Sequence, residues 1–222
     1  MKTLVVAPHP DDEMLGAGGT LLRRKSEGGT VGWLVVTTLT SSDKSDLERK
    51  KAREVEIENV RIALGVAAKD AWFLNYPTTR LDTVPMGEIV AAISQIVQNF
   101  QPEEILVPFW GDAHTDHRIV FDAVAACTKW FRYPTIKRVL AYETLSETDS
   151  SIGRHNAFDP NVFIDISDWL EEKIQTLSYY ESELGEFPFP RSEEAVRALG
   201  QVRGAASGFW AAEAFMLLKE RS

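Results

Sequence analysis

A chain of 222 residues with 44% hydrophobic content is sized for one domain with a substantial core. Its 33 acidic against 24 basic residues give a net charge of −9, which argues against nucleic-acid binding, because phosphate affinity rests on clustered Lys and Arg. The single cysteine, Cys127, excludes an internal disulfide and is expected as a buried structural thiol in a reducing compartment.

Apolar runs of strand length alternate with segments of helical period, the pattern of βαβ units around a parallel sheet. Met1–Ala7 is too short an apolar run for a signal peptide or a membrane span, so a cytoplasmic protein is expected. Within it, Leu4–Ala7 is the first strand, apolar throughout as a strand covered on both faces should be. Gly16-Ala17-Gly18-Gly19 then leads into a helix carrying Leu21 and Leu22, which Gly28-Gly29 stops. Trp33–Thr37 is the second strand. A long helix follows from Ser45 to Leu64, with Ala52, Val55, Val60, Ala63 and Leu64 near one stripe and Gly65 as its stop. Ala71–Leu74 is a short third strand, and Tyr76–Arg80 a loop.

The clearest period belongs to Ile89, Val90, Ile93, Ile96, Val97 and Phe100, a helix closed by Pro102. Glu104–Pro108 is the fourth strand, and its loop carries His114-Thr115-Asp116-His117 into a helix through Val120, Val124 and Trp130. Val139–Tyr142 is the fifth strand, and the irregular stretch Ser146–Pro160 is expected to cover one end of the sheet. Val162–Ile166 reads as a strand, Asp168–Leu184 as a helix and Phe187–Pro190 as a loop, while Ala212–Lys219 is a helix or strand that period does not separate. The expected fold is α/β, a Rossmann-like three-layer sandwich with a mostly parallel sheet. It is read as a single domain over 1–222 whose part from 146 onward covers the site.

Two motifs stand out. Val5–Glu13 ends a strand in one imidazole, His9, and three consecutive acids, Asp11, Asp12 and Glu13. Three adjacent carboxylates repel one another, and a cation or a hydrogen-bond network has to compensate them. His9 and Asp12 are ligand types that zinc accepts. Of the four histidines, two more sit together as His114 and His117, just after the fourth strand. In doubly wound sheets strands one and four commonly adjoin where the winding reverses, and ligands sit outside their carboxyl ends. Topology alone would thus bring the two motifs to one crevice.

These residues resemble a known family. Ala7–Glu13 with Leu15–Thr20, and His114–Arg118, are similar to the two signature motifs of the LmbE/PIG-L superfamily of zinc-dependent N-deacetylases. Arg53, Glu56 and Leu64-Gly65 resemble its second-helix pattern. Phe163–Ile166 with Lys173, Arg203-Gly204, Gly208 and Ala212–Phe215 resemble its C-terminal pattern. The resemblance implies that His9, Asp12 and His117 hold Zn2+, with Fe2+ as the alternative ion, and that Asp11 is the general base toward water. His114 would stabilise the oxyanion or protonate the leaving amine, oriented by Asp116. Glu13 is read as a second layer behind the ligands or a helix N-terminal acid. The implied substrate is a small acetamido sugar of the N-acetylglucosamine type, with no nucleic-acid or membrane partner and self-association into a homo-oligomer left open. Arg53 would bind its hydroxyls or a phosphate, with Arg80, Trp110, Asp112 and Arg203 as weaker candidates for contact, and His155 is read as a surface residue in the irregular stretch.

Three other readings compete. A non-sugar acylated amine could use the same site. A non-haem Fe(II) enzyme also uses two histidines and a carboxylate, but on an all-β barrel with a closer His/Asp spacing. A dinucleotide module would need a different glycine spacing and an acid at the end of strand two, where the chain has Val36–Thr40. The glycines are better read as close helix-to-strand packing behind the first motif.

Overall fold

Alternation along the strands decides the architecture. In β1 (Lys2–Ala7), Leu4 and Val6 join one apolar cluster and Val5 another. In β2 (Thr30–Thr38), Leu34 and Val36 go with the former while Trp33 and Val35 go with the latter, and β4 (Glu104–Pro108) repeats the split. Strands buried on both faces require helices on both faces. The computed structural model, which describes residues 1–39, 44–152 and 157–222, supplies them. The Val5 face is covered by α1 (Asp12–Ser26), α2 (Lys44–Ala63), α5 (Leu170–Leu177) and α6 (Glu193–Ser207). The Leu4 face is covered by α3 (Met86–Phe100) and α4 (Thr115–Ala126).

With β3 (Ala71–Pro77), β5 (Arg138–Tyr142), β6 (Val162–Asp165) and β7 (Ala212–Glu220), the sheet runs in the order β3-β2-β1-β4-β5-β7-β6. The first five are parallel to their neighbours, and β7 is antiparallel to both β5 and β6. The expected α/β sandwich is therefore found, and β1 lies beside β4, so the loops after them open into the crevice where winding reverses. Among the described residues no helix is long and apolar enough to cross a membrane.

Several local expectations need correction. The first helix begins at Asp12, so the glycines lie inside it and not before it. Their reason is contact: a Cβ on Gly16 would stand 2.2 Å from Tyr142 Cδ2, and one on Gly19 would stand 2.8 Å from Ile166 Cγ2. The buried side of α2 runs through Arg53, Val60 and Leu64, while Ala52 and Val55 are exposed. The helix thus turns an arginine inward. The helix after the histidine motif stops at Ala126, leaving Trp130 63% exposed beyond it. The helix expected over Asp168–Leu184 ends at Leu177. Ala212–Glu220 is a strand, because it pairs with β5 on one side and β6 on the other. Helix α6 was not anticipated. Ser192 caps it, its hydroxyl accepting the Ala195 N–H at 3.2 Å, and Gly208 ends it at φ 83°. Cys127 is buried, as expected; His155 lies outside the described residues.

The Gly16 contact generates a test. Gly16→Ala should fold but lose roughly 1–3 kcal/mol to overpacking against Tyr142, read as a lower midpoint in denaturant. An unshifted midpoint would mean that helix and strand do not meet as closely as described.

Candidate metal centre

The chain leaves β1 at Ala7 and enters α1 five residues later, so the intervening turn has to be tight. Asp11 absorbs the strain at φ 132°, a conformation that side-chain-bearing residues seldom adopt. It is held there from both ends. Its N–H donates to Glu13 Oε2 at 3.2 Å, and its carbonyl accepts the Met14 and Leu15 N–H groups at 2.9 Å each. Asp12 then folds back, its Oδ2 accepting the His9 N–H at 2.8 Å.

From the β4 side, His117 lies in the first turn of α4 and is fully buried. Its Nδ1–H donates to Asp112 Oδ2 at 2.7 Å, and Asp112 Oδ1 accepts the Thr148 hydroxyl at 2.6 Å. With Nδ1 so engaged, Nε2 carries the lone pair of the neutral ring. That atom is 3.3 Å from Asp12 Oδ2, yet it makes no hydrogen bond among the described residues although it is buried. An orphaned, inward-facing imidazole nitrogen is what a metal ligand looks like before the ion is added. His9 completes the group, with Nδ1 3.2 Å from Asp12 Oδ2. Ligand atoms of His9, Asp12 and His117 all lie within 4.8 Å of one another.

A second grouping, His9 with His114 and Asp116, meets the same distance, but its atoms are already engaged. His114 caps α4, its Nδ1 accepting the Asp116 N–H at 3.1 Å. The Asp116 carboxylate accepts the Thr79 N–H at 2.7 Å and the Leu81 N–H at 3.3 Å, and bonds His9 Nε2 at 3.2 Å. Asp116 was expected to orient His114; its carboxylate instead holds His9 and the loop after β3, and stands 3.9 Å from His114 Nδ1.

Charge follows this wiring in the metal-free protein. Burial works against a charged His117, but Asp12 and Asp112 outweigh it and push the imidazole up to about 10; His9 rises to about 9 against the same burial, through Asp116 and Asp12. Asp12 is held far below the usual carboxylate range because the two imidazoles more than offset its burial. Burial, then repulsion from Asp12, raises Asp11 well above that range. Burial also takes Glu13 to about 7 and His114 down to about 4.

These groups line a cavity of about 250 Å³ that His9, Asp11, Asp12 and His114 share with Arg53. Four expected contacts, Arg80, Trp110, Asp112 and Arg203, are absent from its walls. Arg80 is exposed just beyond the wall residues Thr78 and Thr79, and Trp110 packs against Phe109 and Phe121, with ring centroids 4.5 and 5.3 Å away. Arg203 is spent on Glu143, with bonds of 2.8 and 2.6 Å, and lines other cavities. Asp112 stands behind His117. The sequence reading missed Glu147, Glu183 and Arg191, which do line the cavity. They come from the loops after β5 and α5; the segment holding Glu183 was expected to continue the helix that ends at Leu177.

A family model described as PIG-L, GlcNAc-PI de-N-acetylase, matches residues 4–128. This chain belongs to the PIG-L family. Its similarity to curated members extends further than the model. It is 27% identical over 220 residues to the diacetylchitobiose deacetylase of Thermococcus kodakarensis, covering 96% of this chain and 81% of that one. It is 26% identical over 191 residues to a probable N-acetyl-alpha-D-glucosaminyl L-malate deacetylase 2 of Bacillus cereus, covering 81% and 82%. Among solved structures, a conserved protein of Thermus thermophilus superposes with a TM-score of 0.77 at 26% identity, covering 99% of this chain and 96% of its own. The motifs at the ends of β1 and β4 both fall within the PIG-L match.

Metal content separates the two groupings. His117→Ala should lose its divalent metal on dialysis while His114→Ala keeps it; the opposite pattern would select the second group. Asp112→Asn should retain the fold but weaken metal affinity about 10–100-fold, since it replaces the charged acceptor that orients His117 with a neutral amide; a titration matching the unaltered protein would count against that role.

Proposed function

We propose that this protein is a zinc-dependent N-deacetylase, one domain over 1–222, that removes the acetyl group from an N-acetylglucosamine-type sugar. The observation that carries the reading is the orphaned His117 Nε2 facing His9 and Asp12, with the carboxylate of Asp11 in the same cavity. The PIG-L membership and the names of the two curated relatives support the substrate class.

His9, Asp12 and His117 would hold the ion. When bound, zinc acts as a Lewis acid toward the acetamide carbonyl and lowers the pKa of water. Asp11 sits next in sequence to Asp12 but diverges from it through its strained backbone, so its carboxylate remains available to accept the proton of the attacking water. Arg191 Nη1, 3.5 Å from Asp11 Oδ2, steadies that carboxylate. His114 has Nδ1 tied to the Asp116 N–H, so the neutral ring carries its hydrogen on Nε2. That N–H is suited to donate to the carbonyl oxygen as negative charge develops there. The proton that Asp11 takes up is the one returned to the departing amine, after which acetate and the free amino sugar leave.

Asp11→Asn, isosteric and without a basic oxygen pair, should lower acetate release about 10²–10⁴-fold at unchanged zinc content. Full turnover in that variant would remove Asp11 as the base. Substrate class is tested by incubating the zinc-loaded protein with N,N′-diacetylchitobiose and simple N-acetylglucosaminides. Equal amounts of acetate and primary amine are expected, and no release from any of them would reject the amino-sugar reading.

A further inference from the structure

The cavity carries two arginines, and both are already matched by carboxylates of this chain. Arg53 donates through Nη1 to Glu56 Oε2 at 3.1 Å and through Nη2 to Glu183 Oε1. Glu183 turns its other oxygen to Arg191 Nη2 at 3.4 Å, and Arg191 Nη1 reaches Asp11. Glu56 is fixed in turn by the Ser182 N–H and hydroxyl, each donating at 3.1 Å. Two guanidinium groups therefore face three carboxylates in one chain of ion pairs.

Recognition of a phosphate or carboxylate by arginine relies on two parallel N–H donors presented as a fork. Glu183 takes a donor from each arginine, so it breaks both forks at once. The remaining edge of Arg191 is closed to an entering group, because its Nε is buried. The surrounding wall is acidic as well. With His9 and Asp12 assigned to the ion, Asp11, Glu147 and Glu183 still outnumber Arg53 and Arg191 among the described lining residues. An anionic aglycone lying beside Glu183 would meet like charge with both arginines already engaged, which costs affinity, whereas sugar hydroxyls need only single hydrogen bonds.

We propose that Glu183 is a specificity-determining residue: by engaging Arg53 and Arg191 together it restricts the site to uncharged acetamido sugars and excludes conjugates whose aglycone is an anion. This rests on the deacetylase reading for the identity of the sugar, and on the pocket alone for the selection by charge. It narrows the role of Arg53 from binder of hydroxyl or phosphate to binder of hydroxyl. Glu183 is a quarter exposed and lies outside the helices and strands, so an isosteric change there is compatible with folding.

The test uses a matched pair of ligands, the methyl and the carboxymethyl glycosides of N-acetylglucosamine. Equilibrium binding to the zinc-loaded protein and acetate release are both measured. The unaltered protein should bind the methyl glycoside about tenfold or more tightly than the carboxymethyl one. Glu183→Gln removes the shared counter-charge and should bring the two ligands to within about threefold, mainly by tightening the charged ligand. Equal or tighter binding of the charged ligand by the unaltered protein overturns the proposal, as does failure to bind either. So does a ratio that Glu183→Gln leaves unmoved. If the binding ratio shifts as expected while neither glycoside loses its acetyl group, the charge selection stands and the deacetylase reading falls. Acetate released equally well from both by the unaltered protein does the reverse.

Discussion

Three neighbouring carboxylates buried at the start of one helix have to be answered one by one, and much of the chain is disposed to do so. An unpaired charge left out of water costs several kcal/mol. Asp12 is answered by His9 beside it and by His117 from α4. Glu13 accepts the Asp11 N–H and the Tyr180 hydroxyl, the latter at 2.7 Å from the turn after α5. Asp11 is approached by Arg191, which immediately precedes the cap of α6. Elements far apart in sequence thus converge because each carries one partner for Val5–Glu13. The favourable end of the helix dipole lies at the same place.

The rigidity of α1 behind this cluster has its own source. In an unbroken α-helix the Gly19 N–H pairs with the Leu15 carbonyl. Here the Gly19 N–H also reaches Glu213 Oε1 at 2.9 Å, the Thr20 N–H reaches Glu213 Oε2 at 2.7 Å, and Lys173 Nζ donates to the Leu15 carbonyl at 2.8 Å. Lys173 and Glu213 are themselves paired at 2.6 Å and buried. Gly18 leaves room for the pair, since a Cβ there would stand 3.3 Å from Lys173 Cγ, and Gly16 leaves room for Tyr142. Tyr142 closes in and donates its hydroxyl to the Val6 carbonyl at 2.8 Å, bracing the end of β1. Glycine's helix cost, about 1 kcal/mol per residue, is offset by that docking.

The meeting of the two histidine motifs was legible in the sequence because it needs only topology: two apolar strands, each followed by a motif, adjoining in a mostly parallel sheet. The ligand-type residues were legible because histidine is scarce here, so its clustering carries information. What escaped has identifiable physical causes. The close packing of the α1 glycines was read correctly, but the helix was started after them, since their low propensity hides a helix that begins at Asp12. Helix α6 buries Val196, Gly200 and Gly204, a stripe too small in side chain to register as apolar, although Ser192, the acids after it and Gly208 mark its ends. The C-terminal half of the α2 stripe, Val60 and Leu64, was read correctly, and its N-terminal half was missed because the inward residue at 53 is charged. Glu183 was read as part of a helix over Asp168–Leu184 and Arg191 was not singled out, as their pairing exists only once the segment after α5 folds against α2.

The histidines also differ in how they are held. His117 is aimed by Asp112, which Thr148 fixes from the loop after β5. His9 is aimed by Asp116, which two backbone N–H groups fix from the loop after β3. Separate carboxylates on opposite sides therefore set the two imidazoles, and neither depends on an ion for its orientation. Carboxylates that aim both imidazoles lower the ordering cost of binding an ion between them. A change in the loop after β3 would act through Asp116, on His9 and on His114 beside it. The Asp112–His117 pair would keep its aim, and the two halves of the centre could be perturbed independently through residues that touch neither the ion nor the substrate.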